Sequence, residues 1–272
     1  MAPAVLISGA TSGLGRYLAQ RLASSGWQVL AHGRDPARVA DLCAELGGDG
    51  ARGFVADLAS LSEVRELAAR ITAGVPRLDV LVNNAAVGFG APGEGRQVSA
   101  DGHELRFAVN YLAPVLLTRL LVPLLTASAP SRVLNVSSVG QVAFDPADAE
   151  FEHGYQGVEA YRRSKLALTA FSFEAAGELE AAKVTVNCSH PASLMNTAMV
   201  IRADITPVST LEQGGEATMR LITDPALDGV TGQFFDGLKT ARARPEAYDP
   251  RFRAKLREVT DRMLGDAASL TG

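Results

Sequence analysis

The chain has 272 residues, of which 47% are hydrophobic and 21% are charged, and its formal net charge is −4. This composition provides ample material for a core and fits one large α/β domain or two small ones. The weak negative charge, without any run of Lys or Arg, argues against a nucleic-acid partner. The two cysteines, Cys43 and Cys188, are expected to be buried free thiols in a reducing compartment.

The chain enters an apolar run at once, without the charged region that opens a secretory signal. Its most apolar stretch, residues 107–127, contains Asn110, Arg119 and two prolines. A buried helix accommodates these residues better than a membrane-spanning one does. We therefore expect a cytoplasmic protein without membrane insertion.

Short β-rich runs alternate with longer amphipathic ones along the chain. The predicted strands are AVLIS, WQVLAHG, RGFVAD, LDVLVNNA, RVLNVSS, VTVNCSH and GQFFDG. Most are nearly continuous apolar runs, as in parallel strands that are buried on both faces. The predicted helices cover roughly residues 14–25, 36–47, 60–74, 100–129, 158–182, 210–223 and 250–264. The alternation predicts an α/β fold: a single domain, residues 1–272, with a Rossmann-type doubly wound parallel sheet of about seven strands and helices on both faces.

The first predicted strand runs directly into a glycine-rich turn. Gly9, Gly13 and Gly15 are spaced G-x3-G-x-G where this strand should pass into the first helix. Glycines at such a junction let the backbone approach a pyrophosphate, whose charge the helix N-terminus stabilises. A plain turn is the alternative, but the position favours a dinucleotide site. The predicted contacts in this turn are Gly9, Thr11, Ser12, Gly13, Leu14 and Gly15.

The next cofactor contact is expected about 20 residues further on, at the end of the second strand. An acidic residue there would bind a ribose 2′-hydroxyl, but AHGRD offers Arg34, a bidentate partner for a 2′-phosphate. NADP(H) is therefore favoured over NAD(H). Asp57 and Leu58, at the end of the third strand, are placed to flank the adenine, although Asp57 also suits a helix N-terminus. His32 is expected to be structural.

Tyr161 and Lys165 lie four residues apart on one face of a predicted helix. An ammonium beside a phenol favours the phenolate, so Lys165 is expected to lower the pKa of Tyr161 from about 10 towards the working pH. Such a tyrosine can donate a proton to a forming alkoxide or remove one from an alcohol. Taken alone, the pair is also common on helix surfaces.

Four motifs in this order resemble those of the short-chain dehydrogenase/reductase family, and the resemblance covers almost the whole chain. They are the glycine turn, NNAA at residues 83–86, NVSS at 135–138 and Y-x3-K at 161–165. The resemblance implies a catalytic group of Asn110, Ser138, Tyr161 and Lys165. Beyond the glycine turn and Tyr161 and Lys165, it implies cofactor contacts at Asn84, Ala85, Ala86, Pro191, Ala192, Leu194 and Thr197.

The resemblance also implies a mechanism in which hydride passes between nicotinamide C4 and the substrate carbon. Tyr161 would supply or take the proton, and Ser138 would steady the substrate oxygen. Lys165 would tune Tyr161 and bind the nicotinamide ribose, while Asn110 would hold a water that links Lys165 to solvent. The cofactor carries the hard step and the protein positions it.

The sequence departs from the family pattern at several positions. Ser8 stands where threonine is usual, Ala86 replaces the glycine of NNAG, and Ala192 replaces the glycine of a P-G pair. The distance of 23 residues from Ser138 to Tyr161 resembles the retinol-dehydrogenase-like branch of the family. The tail after residue 232 also looks like that branch.

Two segments are expected to shape the substrate pocket. The acidic, aromatic insert near 139–158 is predicted to form a lip, and residues 194–216 a lid. His190, just before the lid, is expected to be structural. Because both segments are rich in apolar residues, a medium-sized apolar or aromatic carbonyl compound, such as a retinoid-like, steroid-like or polyketide-derived one, is a plausible substrate.

The leading hypothesis is thus an NADP(H)-dependent oxidoreductase, with ketone or aldehyde reduction as the favoured direction. A non-catalytic NADP(H)-binding sensor or scaffold on the same fold is the alternative, since a fold does not fix a function. A lyase or epimerase that uses the same tyrosine is a third. No metal site is predicted. The long helices predicted at 100–129 and 158–182 would permit a homodimer or homotetramer.

Overall fold

The computed structural model describes residues 2–47, 50–265 and 270. Within these ranges one sheet has the strand order β3–β2–β1–β4–β5–β6–β7–β8. The strands are β1 Ala4–Ile7, β2 Gln28–Gly33, β3 Ala51–Val55, β4 Val80–Asn83, β5 Ser131–Val136, β6 Val184–His190, β7 Phe234–Asp236 and β8 Lys239–Ala241. All neighbouring pairs from β3 to β7 are parallel. The predicted doubly wound α/β fold is therefore confirmed.

Helices lie on both faces of the sheet. They are α1 Gly13–Ser24, α2 Pro36–Glu45, α3 Leu61–Gly74, α4 Leu105–Phe107, α5 Ala113–Ala127, α6 Gly157–Leu179, α7 Ala198–Arg202, α8 Leu211–Thr223 and α9 Pro250–Leu264. Side chains of α3, α5, α6 and α9 form one core, and those of α1, α2 and α8 form the other. Along β1, Leu6 enters the first core while Val5 and Ile7 enter the second, which explains the continuous apolar run.

The sheet has one strand more than the sequence predicted. β8 pairs antiparallel with β7 across a tight turn in which Gly237 has φ 56°. Lys239 and Thr240 in β8 are exposed and polar, so the strand carries no apolar pattern that a sequence can show. An antiparallel edge strand on an otherwise parallel sheet is a common arrangement.

The helix predicted over 100–129 begins only at Leu105. The preceding residues form a turn closed by a bridge between Val98 and Glu104, and the Glu104 carboxylate caps the helix by accepting a hydrogen bond from the Phe107 N–H at 2.7 Å. A π-helical turn, Ala108–Leu112, joins α4 to α5. Such wide turns contain an extra residue and are frequent at functional sites.

This helical span, Leu105–Ala127, is long and apolar enough to cross a membrane, with a mean hydropathy of 1.6. Yet 78% of its most apolar part is buried inside the protein. It packs against α3 and β5 as a central core helix. A buried core helix meets the same length and hydropathy criteria as a membrane span, so this feature alone is weak evidence for one.

The β1 strand pairs with β2 on one side and with β4 on the other. Chain connections therefore run in opposite directions from this point of the sheet. In open α/β sheets the crevice beyond the carboxyl ends of such strands is where ligands bind. The glycine-rich turn after β1 opens onto this crevice.

Candidate active site

A cavity of about 1290 Å³ lies along the carboxyl ends of the parallel strands. Its size suits a dinucleotide together with a small substrate. Most residues that the sequence predicted for the site line this cavity. They are Gly9, Thr11, Ser12, Gly13, Leu14, Arg34, Asp57, Leu58, Asn84, Ala85, Ala86, Ser138, Tyr161, Lys165, Pro191, Ala192, Leu194 and Thr197. Gly15 and Asn110 are the predicted residues that do not line it.

The glycine turn has the backbone shape that a phosphate cradle needs. Gly9 and Gly13 have positive φ values of 67° and 51°, which favour glycine. A Cβ on Gly15 would collide with the Gly9 carbonyl, so Gly15 lets the turn and the start of α1 pack closely. Gly15 therefore shapes the cradle from behind, whereas the sequence predicted it to contact the cofactor. The cradle fits a dinucleotide pyrophosphate at the N-terminus of α1.

Ser8 keeps the role that a hydroxyl can have at the end of β1. Its Oγ accepts hydrogen bonds from the N–H groups of Asn84 and Ala85, at 2.9 and 3.0 Å. The Asn84 amide donates in return to the Ser8 carbonyl at 2.9 Å. The replacement of threonine by serine thus leaves β1 joined to the NNAA segment through the hydroxyl.

His32 supports the glycine turn from below. Its Nδ1 accepts a hydrogen bond from the Gly9 N–H at 3.2 Å, so its Nε2 must carry the proton that it donates to the Ala56 carbonyl at 3.1 Å. Burial lowers the pKa of His32, which keeps the ring neutral. These contacts are those of a structural histidine.

Two arginines border the end of the cavity beyond β2. Arg34 lies there exposed, as the sequence predicted for a 2′-phosphate contact. Arg38, which the sequence analysis missed, lines the same region and donates to the Thr11 carbonyl at 3.2 Å. The Asp35 carboxylate caps α2 by accepting from the N–H groups of Ala37 and Arg38. Asp35 is thus engaged with the helix, which leaves the cationic side chains to face the cavity.

Asp57 both lines the cavity and holds the turn that leads into α3. It lines the cavity beyond β3, and its Oδ1 accepts a hydrogen bond from the Ala59 N–H at 2.9 Å in the turn that leads into α3. Leu58 lines the cavity beside it. This corner is therefore a rigid turn with an apolar and an acidic side chain.

Ser138 and Tyr161 meet where β5 ends beside α6. The Ser138 side chain lies beside the Tyr161 phenol and favours its ionised form, and the Ser138 Oγ accepts a hydrogen bond from the Gly140 N–H at 3.0 Å. Because the serine oxygen accepts in that bond, its proton remains available for donation into the cavity. Ser137 faces away and bonds Lys165 O and Thr169 Oγ1, as the alternation of strand side chains predicts.

Lys165 lies one helical turn beyond Tyr161, with its Nζ 5.5 Å from the centre of the tyrosine ring. The Nζ donates to the Val136 carbonyl at 2.8 Å. Both side chains are almost entirely shielded, at 2% exposed for Lys165 and 9% for Tyr161. The Lys165 Nζ thus lies beside the tyrosine ring, and its hydrogen bond goes to the strand backbone.

The sequence prediction that the pKa of Tyr161 is lowered is wrong. Burial raises the pKa of Tyr161 to about 12, and the neighbouring Ser138 side chain only partly opposes this rise. Burial also lowers the pKa of Lys165 to about 7. Desolvation disfavours the charged form of each group. Tyr161 is therefore a neutral phenol, which is the form that donates a proton.

Asn110 lies in the π-helical turn behind the cavity wall. Its Oδ1 accepts from the Val87 N–H at 2.7 Å, and its Nδ2 donates to the Val87 carbonyl and to Ser164 Oγ, both at 3.0 Å. The side chain thus joins the loop after β4 to α6, three residues beyond Tyr161. The family resemblance implies that Asn110 holds a water. Because its side chain is engaged in these hydrogen bonds, the backbone of Asn110 would have to bind that water.

Gln141 is a buried residue that supports the Ser138 turn from behind the cavity wall. Its Nε2 donates to the Ser138 carbonyl at 2.7 Å and to Thr169 Oγ1 at 3.2 Å, and its Oε1 accepts from the Arg244 N–H at 3.3 Å. It therefore links the Ser138 turn to α6 and to the segment that precedes α9. A single glutamine in an insert carries no sequence signal for this role.

The segment after β6 forms the remaining wall. His190 is buried, which lowers its pKa, and its Nε2 is 3.0 Å from Ser193 Oγ. The Thr197 side chain lies over Gly13, so this loop meets the glycine turn. The predicted lid region, 194–216, holds α7 and the start of α8, and Met199 of α7 packs on Gly88.

Comparison with known proteins agrees with this geometry. The family model for short chain dehydrogenases matches residues 3–206. Retinol dehydrogenase 14 of Mus musculus is 36% identical over 291 residues, which cover 96% of this chain and 85% of that protein. Polyprenol dehydrogenase of Mus musculus is 35% identical over 292 residues, covering 98% of this chain and 83% of that protein.

Solved structures show the same architecture. The RhlG/NADP active-site complex of Pseudomonas aeruginosa superposes with a TM-score of 0.71 at 28% identity, over 87% of this chain and 95% of that one. The 3-ketoacyl-(acyl-carrier-protein) reductase of Brucella melitensis complexed with NADH gives 0.70 at 25% identity, over 86% and 96%. The chain therefore belongs to the short-chain dehydrogenase/reductase family of nicotinamide-dependent oxidoreductases, in its retinol-dehydrogenase-like branch.

Proposed function

We propose that the protein is an NADP(H)-dependent ketoreductase that interconverts a carbonyl and an alcohol on medium-sized apolar or aromatic substrates. The observation that carries the proposal is the contact between the Ser138 hydroxyl and the neutral Tyr161 phenol in the wall of the cavity. Two hydroxyl groups that can donate to one oxygen are what carbonyl reduction requires. A sensor or scaffold would have no need of this pair.

In this mechanism the glycine turn holds the cofactor's pyrophosphate, and Lys165 lies close enough to the cavity wall to bind its ribose. The bound nicotinamide nucleotide supplies or accepts the hydride. Tyr161 donates its proton to the substrate oxygen, and Ser138 donates a hydrogen bond to that same oxygen. Once the phenol has lost its proton, the Lys165 ammonium stabilises the phenolate that remains.

The substrate half of the cavity supports the choice of an apolar substrate. Its walls carry apolar side chains from the loop after β4, from the insert and from the segment after β6. These residues are Phe89, Val139, Val158, Leu194 and Met199. The insert at 139–158 and the segment 194–216 thus suit the roles of lip and lid.

The proposal includes a single catalytic domain in the cytoplasm that does not insert into membranes. Its support is the burial of the one apolar helical span found in the described residues. Reduction is the proposed direction, because two cationic side chains at the cavity edge would favour the 2′-phosphate of NADP(H), a cofactor that cells generally keep in its reduced form. Assembly as a homodimer or homotetramer is a further part of the proposal, and gel filtration tests it.

The test is NADPH oxidation, followed by absorbance, with a panel of ketones. The panel pairs one-ring with two-ring compounds, cyclohexanone with 2-decalone and acetophenone with 2-acetonaphthone, and includes aliphatic aldehydes. Turnover with any of them supports the enzyme. Tight NADPH binding without turnover of any member would instead support the non-catalytic alternative.

Arg34→Ala is expected to weaken NADPH binding by about 10-fold, because it removes a charge-assisted hydrogen bond to the 2′-phosphate. Fluorescence titration should show no change for NADH, which lacks that phosphate. Arg38→Ala should weaken NADPH binding in the same sense. Arg21→Ala, an exposed arginine on α1 that pairs with Glu216 outside the cavity, is the matched control. An unchanged ratio of NADPH to NADH affinity in both cavity variants would place the phosphate elsewhere.

A further inference from the structure

The ring of Phe89 packs directly against the proposed proton donor. Its centre is 4.7 Å from the centre of the Tyr161 ring, and the two planes meet at 74° in an edge-to-face contact. Both rings line the same cavity. Since the substrate oxygen must meet the Tyr161 hydroxyl, a group attached to the reacting carbon has to pass beside Phe89.

The loop that carries Phe89 is confined by close packing against two helices, α7 on one side and the start of α6 on the other. A Cβ on Gly88 would collide with Met199, so α7 sits directly on the loop. A Cβ on Gly157 would collide with the Phe89 carbonyl, so the start of α6 lies directly under it. Phe89 therefore has little freedom to move aside when a bulky substrate enters.

A buried cation fixes this loop from behind. Arg106, which is 0% exposed, donates from its Nε to the Gly88 carbonyl at 2.7 Å. Its guanidinium also lies 3.6 Å from a carboxylate oxygen of Glu104, itself buried. A buried charge of this kind is tolerated only when it is paired and hydrogen-bonded, so its contacts are costly to break.

The insert supplies the group that completes this arrangement. The Tyr155 hydroxyl accepts a hydrogen bond from Arg106 Nη1 and donates one to Glu104 Oε1 at 2.9 Å. The Tyr155 hydroxyl oxygen thus bridges the Arg106 guanidinium and the Glu104 carboxylate. The insert therefore reaches the reacting centre through Arg106 and Gly88, in addition to lining the cavity at its rim.

We propose that Phe89 is a specificity-determining residue that limits the size of the ring system that carries the carbonyl, and that Arg106 and Tyr155 are positioning residues that hold it. The inference rests on the proposed function, because it specifies which carbonyl compounds that site accepts. We therefore expect a substitution of Phe89 to change the substrate preference without changing the affinity for the cofactor.

Phe89→Leu removes the ring and keeps an apolar side chain. The ratio of kcat/KM for 2-decalone to kcat/KM for cyclohexanone is expected to rise by about 10-fold, the discrimination that a change of this size in an apolar pocket provides. The Kd for NADPH should stay unchanged. Phe144→Leu is the matched control, because Phe144 is a half-buried aromatic residue of the insert that packs on Phe107 and Phe252 and does not line the cavity.

Tyr155→Phe tests the positioning part by removing one hydroxyl. The same ratio should rise by a smaller factor, about 3-fold, through a change in the ketone KM with kcat retained. Tyr248→Phe, which loses a hydroxyl bonded to the Ala243 N–H away from the cavity, should leave the ratio alone. A lower melting temperature without any change in the ratio would reduce Tyr155 to a purely structural residue and overturn its positioning role.

The outcomes separate this inference from the proposed function. If the wild-type protein oxidises NADPH with none of the ketones, the proposed function fails and the inference falls with it. If wild type turns over both members of a pair but Phe89→Leu leaves their ratio within 2-fold, or Phe144→Leu shifts it equally, only the inference is overturned.

Discussion

Tyr161→Phe is expected to lower kcat by about 10²–10⁴-fold, the range that a positioned general acid contributes. The variant keeps the ring that packs against Phe89 and loses only the hydroxyl that meets Ser138. Since the ring still fills its place, the Kd for NADPH and the melting temperature should change little. Single-turnover measurements of NADPH oxidation check the chemical step separately from product release.

Tyr248→Phe is the control for the Tyr161 variant, because its hydroxyl lies in another part of the molecule, near the start of α9. It should retain full activity. Retention of more than a tenth of the wild-type kcat in Tyr161→Phe would mean that another group protonates the substrate oxygen. Ser138 would then be the next candidate.

Lys165→Met is expected to abolish most activity and at the same time to stabilise the ligand-free protein. The lysine is buried with a pKa of about 7, against an ordinary value near 10.5. Its ammonium therefore costs folding free energy at neutral pH, and methionine fills similar space without that cost. The lost hydrogen bond to the Val136 carbonyl offsets part of the gain. A substitution that stabilises a protein but abolishes its activity is expected where a residue is retained for catalysis at a cost in stability.

The stabilisation expected from Lys165→Met depends on pH, because the pKa of Lys165 differs between the folded and the unfolded protein. Between pH 7 and 10.5 the unfolded chain holds the lysine proton that the folded protein has released, so the free energy of unfolding rises with pH in this window. The cost of the lysine is complete below pH 7 and has disappeared above 10.5. The melting temperature of Lys165→Met should therefore exceed that of wild type most at pH 6 and by progressively less up to pH 9.

Thermal unfolding at pH 6, 7, 8 and 9 measures this difference. Lys239→Met, an exposed lysine on the edge strand β8, serves as the control and should show a difference that does not vary with pH. A Lys165→Met protein that is less stable than wild type at every pH would show that Lys165 is held by attractions stronger than its desolvation.

The parallel sheet was predictable because strands that are buried on both faces read as continuous apolar runs, as in AVLI for β1. The helix over Leu211–Thr223 was likewise visible, and the structure shows Thr210 and Gln213 capping it as a reciprocal pair. The π-helical turn and β8 were not visible, because the first is a local change in helical hydrogen bonding and the second is a three-residue strand with a single apolar residue. Neither leaves a periodic pattern.

At the site, the i,i+4 spacing of Tyr161 and Lys165 placed both side chains on the cavity wall, as expected. The pKa of Tyr161 was predicted in the wrong direction because charge proximity can be guessed from spacing, whereas burial cannot. Gln141 and Arg106 escaped prediction for a related reason. Their partners, Arg244 and Tyr155, are distant in sequence, and only the folded chain brings them together.

Because of the π-helical turn at Ala108–Leu112, this part of the molecule is sensitive to the insertion or deletion of a residue. Removal of one residue would restore a regular α-helix and rotate everything before the deletion by about 100° relative to α5. Either the Arg106 side chain would lose its hydrogen bond to the Gly88 carbonyl, or the apolar face of α5 would lose its packing in the core. A one-residue insertion or deletion in this stretch cannot keep both sets of contacts, so its length fixes how the loop that carries Gly88 is placed relative to the hydrophobic core.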